Sequence, residues 1–166
     1  MKVFVTADHH FGHVQSIKAF KRPFKNVGEM NKELIKKWNT TVNPEDLVFH
    51  LGDFSYRVGK EYIGNIRKSL NGTIILIQGN HDNKRILKHL NFILVNGPIK
   101  IDNLILTHKP MYKVPHNKVN LHGHIHTKYA SGNYHINCCV ENTNYEPVRI
   151  EKYKEMANDI LQKNKL

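Results

Sequence analysis

Short apolar runs alternate with amphipathic segments in the first half of the chain, and this alternation predicts strands that alternate with helices. The apolar runs have the length of buried strands, whereas the segments between them repeat apolar residues at helical spacing. The pair Asn71-Gly72 is a turn signal that ends one of these helices. The predicted strands of this half are residues 2–6, 46–51 and 73–78. The predicted helices are residues 14–21, 27–38, 62–70 and 86–90.

The second half of the chain differs, because short β-prone segments follow one another between turns that contain glycine, proline and asparagine. The predicted strands here are residues 92–95, 99–107, 118–122 and 134–140. A last amphipathic helix carries Tyr153, Met156, Ile160 and Leu161. Helices on either side of a strand-rich stretch predict an α/β fold, a two-sheet β-sandwich flanked by helices. No linker or repeat divides the sequence, so we expect a single domain of residues 1–166.

The composition argues against several classes of protein. No apolar segment approaches the ~20 residues that span a bilayer, so we expect no membrane partner. The apolar N-terminal run is too short for a signal peptide and leads directly into Asp8. The two cysteines, Cys138 and Cys139, are adjacent and cannot form an ordinary disulfide with each other, so we interpret them as structural thiols. Together these features predict a cytoplasmic protein.

The chain is strongly basic, with 25 lysines and arginines against 14 acidic residues and a formal net charge of +11. This excess favours an anionic partner such as a nucleotide, a phosphate ester or nucleic acid. The lysines are spread along the sequence, and asparagine and isoleucine are abundant as well. A solvated, lysine-rich surface therefore explains the charge equally well, and charge alone does not decide between these interpretations.

Five clusters of aspartate, histidine and asparagine follow predicted strands or fall in the loops after them. The clusters are Asp8-His9-His10, Gly52-Asp53, Gly79-Asn80-His81-Asp82, His108 and Gly123-His124-Ile125-His126. Open α/β sheets place their ligands at the carboxyl ends of the strands, so we expect these side chains to meet. Residues i and i+2 of an extended segment point the same way. We therefore expect Asp8 with His10, and His124 with His126, each to face one pocket as a pair.

Each cluster is a weak signal alone, but Gly-Asn-His-Asp is expected by chance in only about one chain in a thousand of this length. The five clusters, in this order, resemble the motifs of the calcineurin-like metallophosphoesterases. The resemblance runs from Asp8 to His126. The opening Asp-x-His-Phe-Gly-His and the later Arg22-Pro23-Phe24 are similar to a small branch of that family in bacteria and phages.

The resemblance implies two divalent metal ions and a phosphate-ester substrate that is hydrolysed by a metal-bridging hydroxide. It assigns one ion to Asp8, His10, Asp53 and His126. It assigns the other ion to Asp53, Asn80, His108 and His124, with Asp53 as the bridge. Oxygen and imidazole ligands without thiolate suit manganese, iron, nickel or zinc, and manganese is the usual choice in the family.

Other residues near the motifs are candidates for catalysis or substrate binding. In the family, the histidine at the position of His81 acts as a general acid or holds a phosphate oxygen. Asp82 is expected to fix the tautomer of His81, and capping the next helix is an alternative or additional role. Arg57 is either a phosphate anchor or a solvated loop arginine, since Tyr56 replaces the acidic residue of the family pattern. His9 and His13 are candidates for substrate contact, or else surface or supporting histidines.

Two enzymatic functions and one non-enzymatic function agree with these residues. The first is hydrolysis of phosphomonoesters or phosphodiesters, with nucleotides or cyclic nucleotides as the expected substrates. The second is a nuclease-like phosphodiesterase that acts on nucleic acid. The third is a scaffold that keeps the fold without the chemistry, which the retained ligand residues and His81 disfavour.

Overall fold

A computed structural model describes residues 1–164, so residues 165 and 166 of the predicted domain lie outside the described part. The strands are β1 Val3–Thr6, β2 Leu47–His50, β3 Thr73–Ile77, β4 Ile93–Val95, β5 Ile99–Ile101, β6 Leu104–Thr107, β7 Val119–His122, β8 His135–Asn137 and β9 Val148–Arg149. The helices are α1 Val14–Ala19, α2 Val27–Thr41, α3 Lys60–Ser69, α4 Lys84–Leu87 and α5 Ile150–Lys163.

The strands form two sheets, as predicted. The first sheet has the order β4-β3-β2-β1-β9, in which β1 to β4 are parallel and β9 runs antiparallel to β1. The second sheet has the order β5-β6-β7-β8, in which β6, β7 and β8 are parallel and β5 is antiparallel. The parallel strands of each sheet therefore present their carboxyl ends together.

Alternation along the central strands divides the core into two layers. In β1, Phe4 packs on the helix side of the first sheet, whereas its neighbour Val5 joins the cluster that includes apolar residues of the second sheet. The helix-side layer contains the apolar stripe of α2, including Trp38, which is fully buried. This layering gives the sandwich its predicted arrangement, with helices packed on the sheets.

The start of α2 shows how local sequence fixes an element. The side chain of Asn26 accepts a hydrogen bond from the Glu29 backbone N–H (2.9 Å). Glu29 in turn accepts one from the Lys25 backbone N–H (2.7 Å). This reciprocal arrangement is similar to a capping box and satisfies donors that a helix start leaves free.

Several predicted element bounds were wrong. Residues 99–107 form two antiparallel strands, because the chain reverses at Asp102, whose φ is 51°. Helix α4 ends earlier than predicted, at Leu87, and the Asn83 side chain caps its start by accepting from the Arg85 backbone N–H. The predicted strand 134–140 is shorter and ends in a 3₁₀ turn at Val140–Asn142. The two-residue β9 was not predicted. Within residues 1–164, no helix has the length and apolar character needed to cross a membrane.

Candidate metal centre

The predicted ligands lie just beyond the ends of β1, β2 and β3 in one sheet and of β6 and β7 in the other. The two sheet edges are joined near this point, because Ala7 forms a parallel bridge with Cys139. The loop after β1 also pairs with the loop after β2, through backbone hydrogen bonds from Asp8 and His10 to Gly52 and Asp53. The topology therefore brings the five motifs to one place.

Asp8, His10 and His126 form a first group of buried side chains whose ligand atoms all lie within 4.8 Å of one another. The Asp8 Oδ1 atom is 3.7 Å from His10 Nε2 and 3.9 Å from His126 Nε2. These separations leave space for an ion between the donor atoms, since divalent metals bind oxygen and nitrogen at about 2.0–2.2 Å.

Asp53, His108 and His124 form a second group with the same spread of ligand atoms. The Asn80 Oδ1 atom lies 2.9 Å from His108 Nε2 and so adjoins this group. Asp53 Oδ2 is 3.6 Å from His108 Nε2 and 3.5 Å from His10 Nε2 of the first group. A single carboxylate oxygen thus lies between the two groups, which is the placement expected of a bridging ligand.

Buried polar atoms that lack a hydrogen-bond partner indicate whether these residues fit a cation. The Asp8 Oδ1 and His10 Nε2 atoms are buried and have no hydrogen-bond partner among the described residues. An unsatisfied buried polar atom costs about 1–3 kcal/mol, so both atoms are poorly explained without a further group. Burial lowers the pKa of His10 to about 2 and raises the pKa of Asp8. A neutral imidazole and a buried carboxylate facing one space fit a divalent ion.

The backbone at the ligands is unusual. Positive φ values occur at Asp8 (60°), His10 (53°), Asp53 (55°), His124 (71°) and His126 (51°). Non-glycine residues rarely adopt this left-handed conformation. His10, His124 and His126 line one cleft, whereas Asp8 is fully buried. All four residues have positive φ and follow the strands in tight loops, not in extended segments. His124 and His126 belong to different groups.

Hydrogen bonds outside the two groups orient the ligands. The Asp8 Oδ2 atom accepts from the His124 backbone N–H (2.8 Å) and from the Cys139 thiol (3.3 Å). Burial raises the pKa of that thiol, so it remains a donor. His108 directs Nδ1 to the Leu51 carbonyl oxygen (2.8 Å), which turns Nε2 toward Asp53. Partners of this kind fix the ring orientation of metal-binding histidines.

Both ligand groups open onto a cleft of ≈ 420 Å³. His13 forms part of its wall, with the imidazole stacked on Tyr56 at a centroid distance of 3.8 Å. The side chain of His81 is 40% exposed, and its Nε2 atom lies 4.0 Å from Asp53 Oδ2. Arg57 lies outside the cleft, exposed to solvent, with its guanidinium 5.3 Å from the centroid of the Tyr56 ring.

The predicted substrate contact of His9 was wrong. His9 is fully buried, and its Nδ1 atom lies 2.9 Å from His50 Nε2. Its ring also stacks on Phe11 and meets the edge of Trp38. Burial lowers its pKa well below the usual value, so it is a neutral core histidine.

The predicted partnership of Asp82 with His81 was also wrong. Both Asp82 carboxylate oxygens accept backbone hydrogen bonds, from the N–H groups of Asp53 (2.8 Å), Phe54 (2.9 Å) and Gly79 (2.9 Å). Asp82 therefore ties the loop after β2 to the loop after β3. The alternative role as a helix cap was wrong too, since Asn83 caps α4.

The motifs did not identify Glu141, which supports the site from the C-terminal segment. Its Oε1 atom lies 3.0 Å from His126 Nδ1 and accepts from Arg22 Nε (2.9 Å) and Nη2 (2.7 Å). Burial alone would raise the pKa of Glu141, but its contacts with His126 and Arg22 outweigh this and lower it. Glu141 stands among polar residues without a local motif, so only the three-dimensional fold reveals its role.

Comparison with known proteins agrees with this geometry. The model of the calcineurin-like phosphoesterase family matches residues 1–161. The chain belongs to this family. It is therefore a metal-dependent hydrolase of phosphate esters, and the scaffold alternative is not supported.

Two similar proteins match almost the whole chain. The uncharacterized protein MJ1445 of Methanocaldococcus jannaschii is 35% identical over 160 residues, covering 90% of this chain and 88% of the archaeal protein. The crystal structure of a protein of unknown function, AQ665 from Aquifex aeolicus, has a TM-score of 0.72 at 23% identity, covering 93% of this chain and 98% of that one. The Pseudomonas putida nuclease MPE is more distant, with a TM-score of 0.49 and 22% identity over 75% of this chain and 60% of its own.

Proposed function

We propose that this phosphoesterase binds two divalent ions, one at each ligand group, with Asp53 shared between them. The observation that carries the proposal is the position of Asp53 Oδ2, within 3.6 Å of a histidine nitrogen from each group. When bound, the two ions would activate a water molecule and neutralise charge on the phosphoryl group. Manganese is the ion that we propose to test first.

The ligand set leaves room for an anionic substrate. Asp8 and Asp53 are its only carboxylates, and Asn80 contributes a neutral amide oxygen where an aspartate would add a negative charge. Burial lowers the pKa of the ligands His10 and His124, which favours the neutral form of both imidazoles. The positive charge of a loaded site is therefore only partly cancelled by the protein, which favours binding of a phosphate group.

His81 is the residue that we propose as proton donor to the leaving group. Its backbone N–H is held by Asp53 Oδ1 (2.8 Å), while its half-exposed imidazole lines the cleft. The side chain thus starts from a fixed point beside the candidate bridge and still reaches the substrate space. A positioned acid of this kind contributes roughly 10²–10⁴-fold to a reaction.

The proposed substrate class is a nucleotide or cyclic nucleotide. The cleft volume of ≈ 420 Å³ lies in the range of small-molecule sites, and its wall includes the aromatic ring of Phe20 and the cation of Lys128. His13 adds a second flat ring to the wall. Rings and a cation beside a phosphate-binding centre match the base and the phosphate of such a ligand.

Action on single-stranded nucleic acid is the second candidate, and two exposed aromatic residues favour it. Tyr112 and Tyr129 are 105% and 98% exposed. They lie in the loops after β6 and β7, the same loops that carry His108, His124 and His126. Exposed aromatic rings in a basic surface stack with successive bases.

The test compares substrates on protein that has been stripped with EDTA and reloaded with manganese. Substrates are mono- and bis-nitrophenyl phosphate, 2′,3′- and 3′,5′-cyclic nucleotides and a labelled single-stranded oligonucleotide. We expect turnover that EDTA abolishes and manganese restores, with nucleotides preferred over nitrophenyl esters.

The variant Asp53→Asn should be inactive. Asp159→Asn is the control and should be fully active, because Asp159 is an exposed residue of α5. Oligonucleotide cleavage that weakens steeply with salt favours the second candidate. Two bound ions without turnover on any substrate would contradict both candidates.

A further inference from the structure

Glu141 collects an unusual number of donors on one oxygen. Its Oε1 atom takes both contacts from Arg22 and the contact with His126 Nδ1, while its Oε2 atom is buried without a partner among the described residues. Arginine–carboxylate pairs are frequently bidentate, with one donor on each carboxylate oxygen. All three contacts are instead on Oε1, which indicates that His126 as well as Arg22 determines the position of the Glu141 side chain.

Arg22 connects this carboxylate to the first ligand group by a second path. Its Nη2 and Nη1 atoms donate to the carbonyl oxygens of Asp8 and His9, each at 2.7 Å. The side chains of Arg22 and Glu141 are 0% and 3% exposed, so water weakens these contacts little. The backbone that Arg22 holds includes Asp8, whose left-handed conformation needs such support.

We propose that Glu141 is a positioning residue that sets the metal affinity of the Asp8, His10 and His126 group by fixing the imidazole of His126. With Nδ1 held by Glu141, the Nε2 atom of His126 faces Asp8 Oδ1 and is free to bind an ion. Arg22 holds Glu141 in place and couples it to the backbone of Asp8. The inference rests on the proposed function, since it takes His126 as a metal ligand.

Among the described residues, no carboxylate outside the ligand set pairs with the imidazole of His108 or His124 in the second group. The imidazole of His108 is oriented by the neutral carbonyl oxygen of Leu51. Loss of the Glu141 charge should therefore affect one ion and leave the other. Cys139 and Glu141 also lie within 4.8 Å of His126, but the Cys139 thiol donates to Asp8. This trio therefore supports the first group and is not a separate ion site.

The experiment measures manganese binding to the chelator-stripped full chain, with free Mn²⁺ followed by electron paramagnetic resonance. The wild type should bind two ions, and Glu141→Gln should bind one of them about 10–100-fold more weakly while the other affinity stays within about twofold. Activity of this variant should recover at high manganese. Glu146→Gln is the matched control, because Glu146 is 43% exposed and pairs with Lys37 away from the site.

Unchanged affinities in Glu141→Gln, or an equal loss at both ions, would overturn the inference. A wild type that binds no ions would instead contradict the proposed function, so the two failures are distinguishable. If Glu141→Gln does not fold, Glu141→Asp provides the same test, because it keeps the charge and shortens the side chain by one methylene. In Glu141→Asp, a loss of affinity at one ion that is smaller than the loss expected for Glu141→Gln supports the inference. An equal loss at both ions, or no loss, refutes it.

Discussion

Substitution of Gly52 by alanine tests how closely the loops must approach to form the site. Gly52 has a φ of +97°, and a Cβ atom placed on it would lie 2.6 Å from His108 Nδ1 and 2.7 Å from the Gly79 backbone nitrogen. Ordinary contacts of a Cβ atom begin near 3.4 Å. The imidazole of His108 or the loop after β3 must therefore move by about 0.8 Å, several times the ~0.2 Å tolerance of metal–ligand distances.

We expect Gly52→Ala to lower kcat/KM by at least about 100-fold, equivalent to about 2.7 kcal/mol of transition-state stabilisation. It should also weaken manganese binding at the second group. The assay is steady-state hydrolysis of bis-nitrophenyl phosphate, with an ion count on the same preparation. Gly97→Ala is the matched control, since Gly97 has a φ of +102° and nothing within 4 Å of its Cβ position. The reasoning would be refuted if Gly52→Ala kept the kcat/KM of the wild type, or if Gly97→Ala lost as much kcat/KM as Gly52→Ala.

Three further predictions concern individual side chains and the ions. His81→Ala should reduce turnover by about 10²–10⁴-fold for esters with poor leaving groups and much less for nitrophenyl esters, and equal losses across a leaving-group series would exclude a proton donor. Asp82→Asn should lower the free energy of unfolding by about 1–3 kcal/mol in urea titrations, because an amide cannot accept all three backbone hydrogen bonds. It should leave the leaving-group dependence unchanged, and a dependence like that of His81→Ala would restore a catalytic role. At 100 times its dissociation constant, each bound manganese ion should stabilise the protein by about 2.7 kcal/mol, or roughly 5–10 °C in melting temperature per ion. A melting temperature independent of manganese in the wild type, or a response retained in Asp53→Asn, would contradict this.

The sequence predicted the fold well where a pattern has one physical cause. Apolar runs such as residues 73–78 are buried strands because both of their faces are covered, which the alternation of β1 between two core layers illustrates. The convergence of the motifs also followed from a simple rule, since parallel strands bring their carboxyl ends to one edge. Asp8 and Asp53 lie together for this reason.

Residues whose roles depend on distant partners were beyond sequence reasoning. His9 lies in the same motif as Asp8 and His10, yet its side chain is buried in the core beside Trp38. Asp82 follows His81 directly, but its carboxylate faces the opposite loop. Glu141 is 119 residues from Arg22 along the chain, and their contact exists only because β1 lies beside the C-terminal segment. Such pairings depend on loop conformations that periodicity does not encode.

The loops that carry the ligands are strained, and two buried charged residues outside the ligand set hold them through hydrogen bonds. Left-handed backbone at a non-glycine residue costs of order 1–3 kcal/mol, and five of the ligands adopt it. Asp82 joins the loops after β2 and β3 through three backbone N–H groups, while Arg22 holds the carbonyl groups of the loop after β1. These anchors hold the loops in which the three ligand atoms of each group lie within 4.8 Å of one another. Because loops that are already anchored lose less conformational entropy on binding, this support should favour metal affinity.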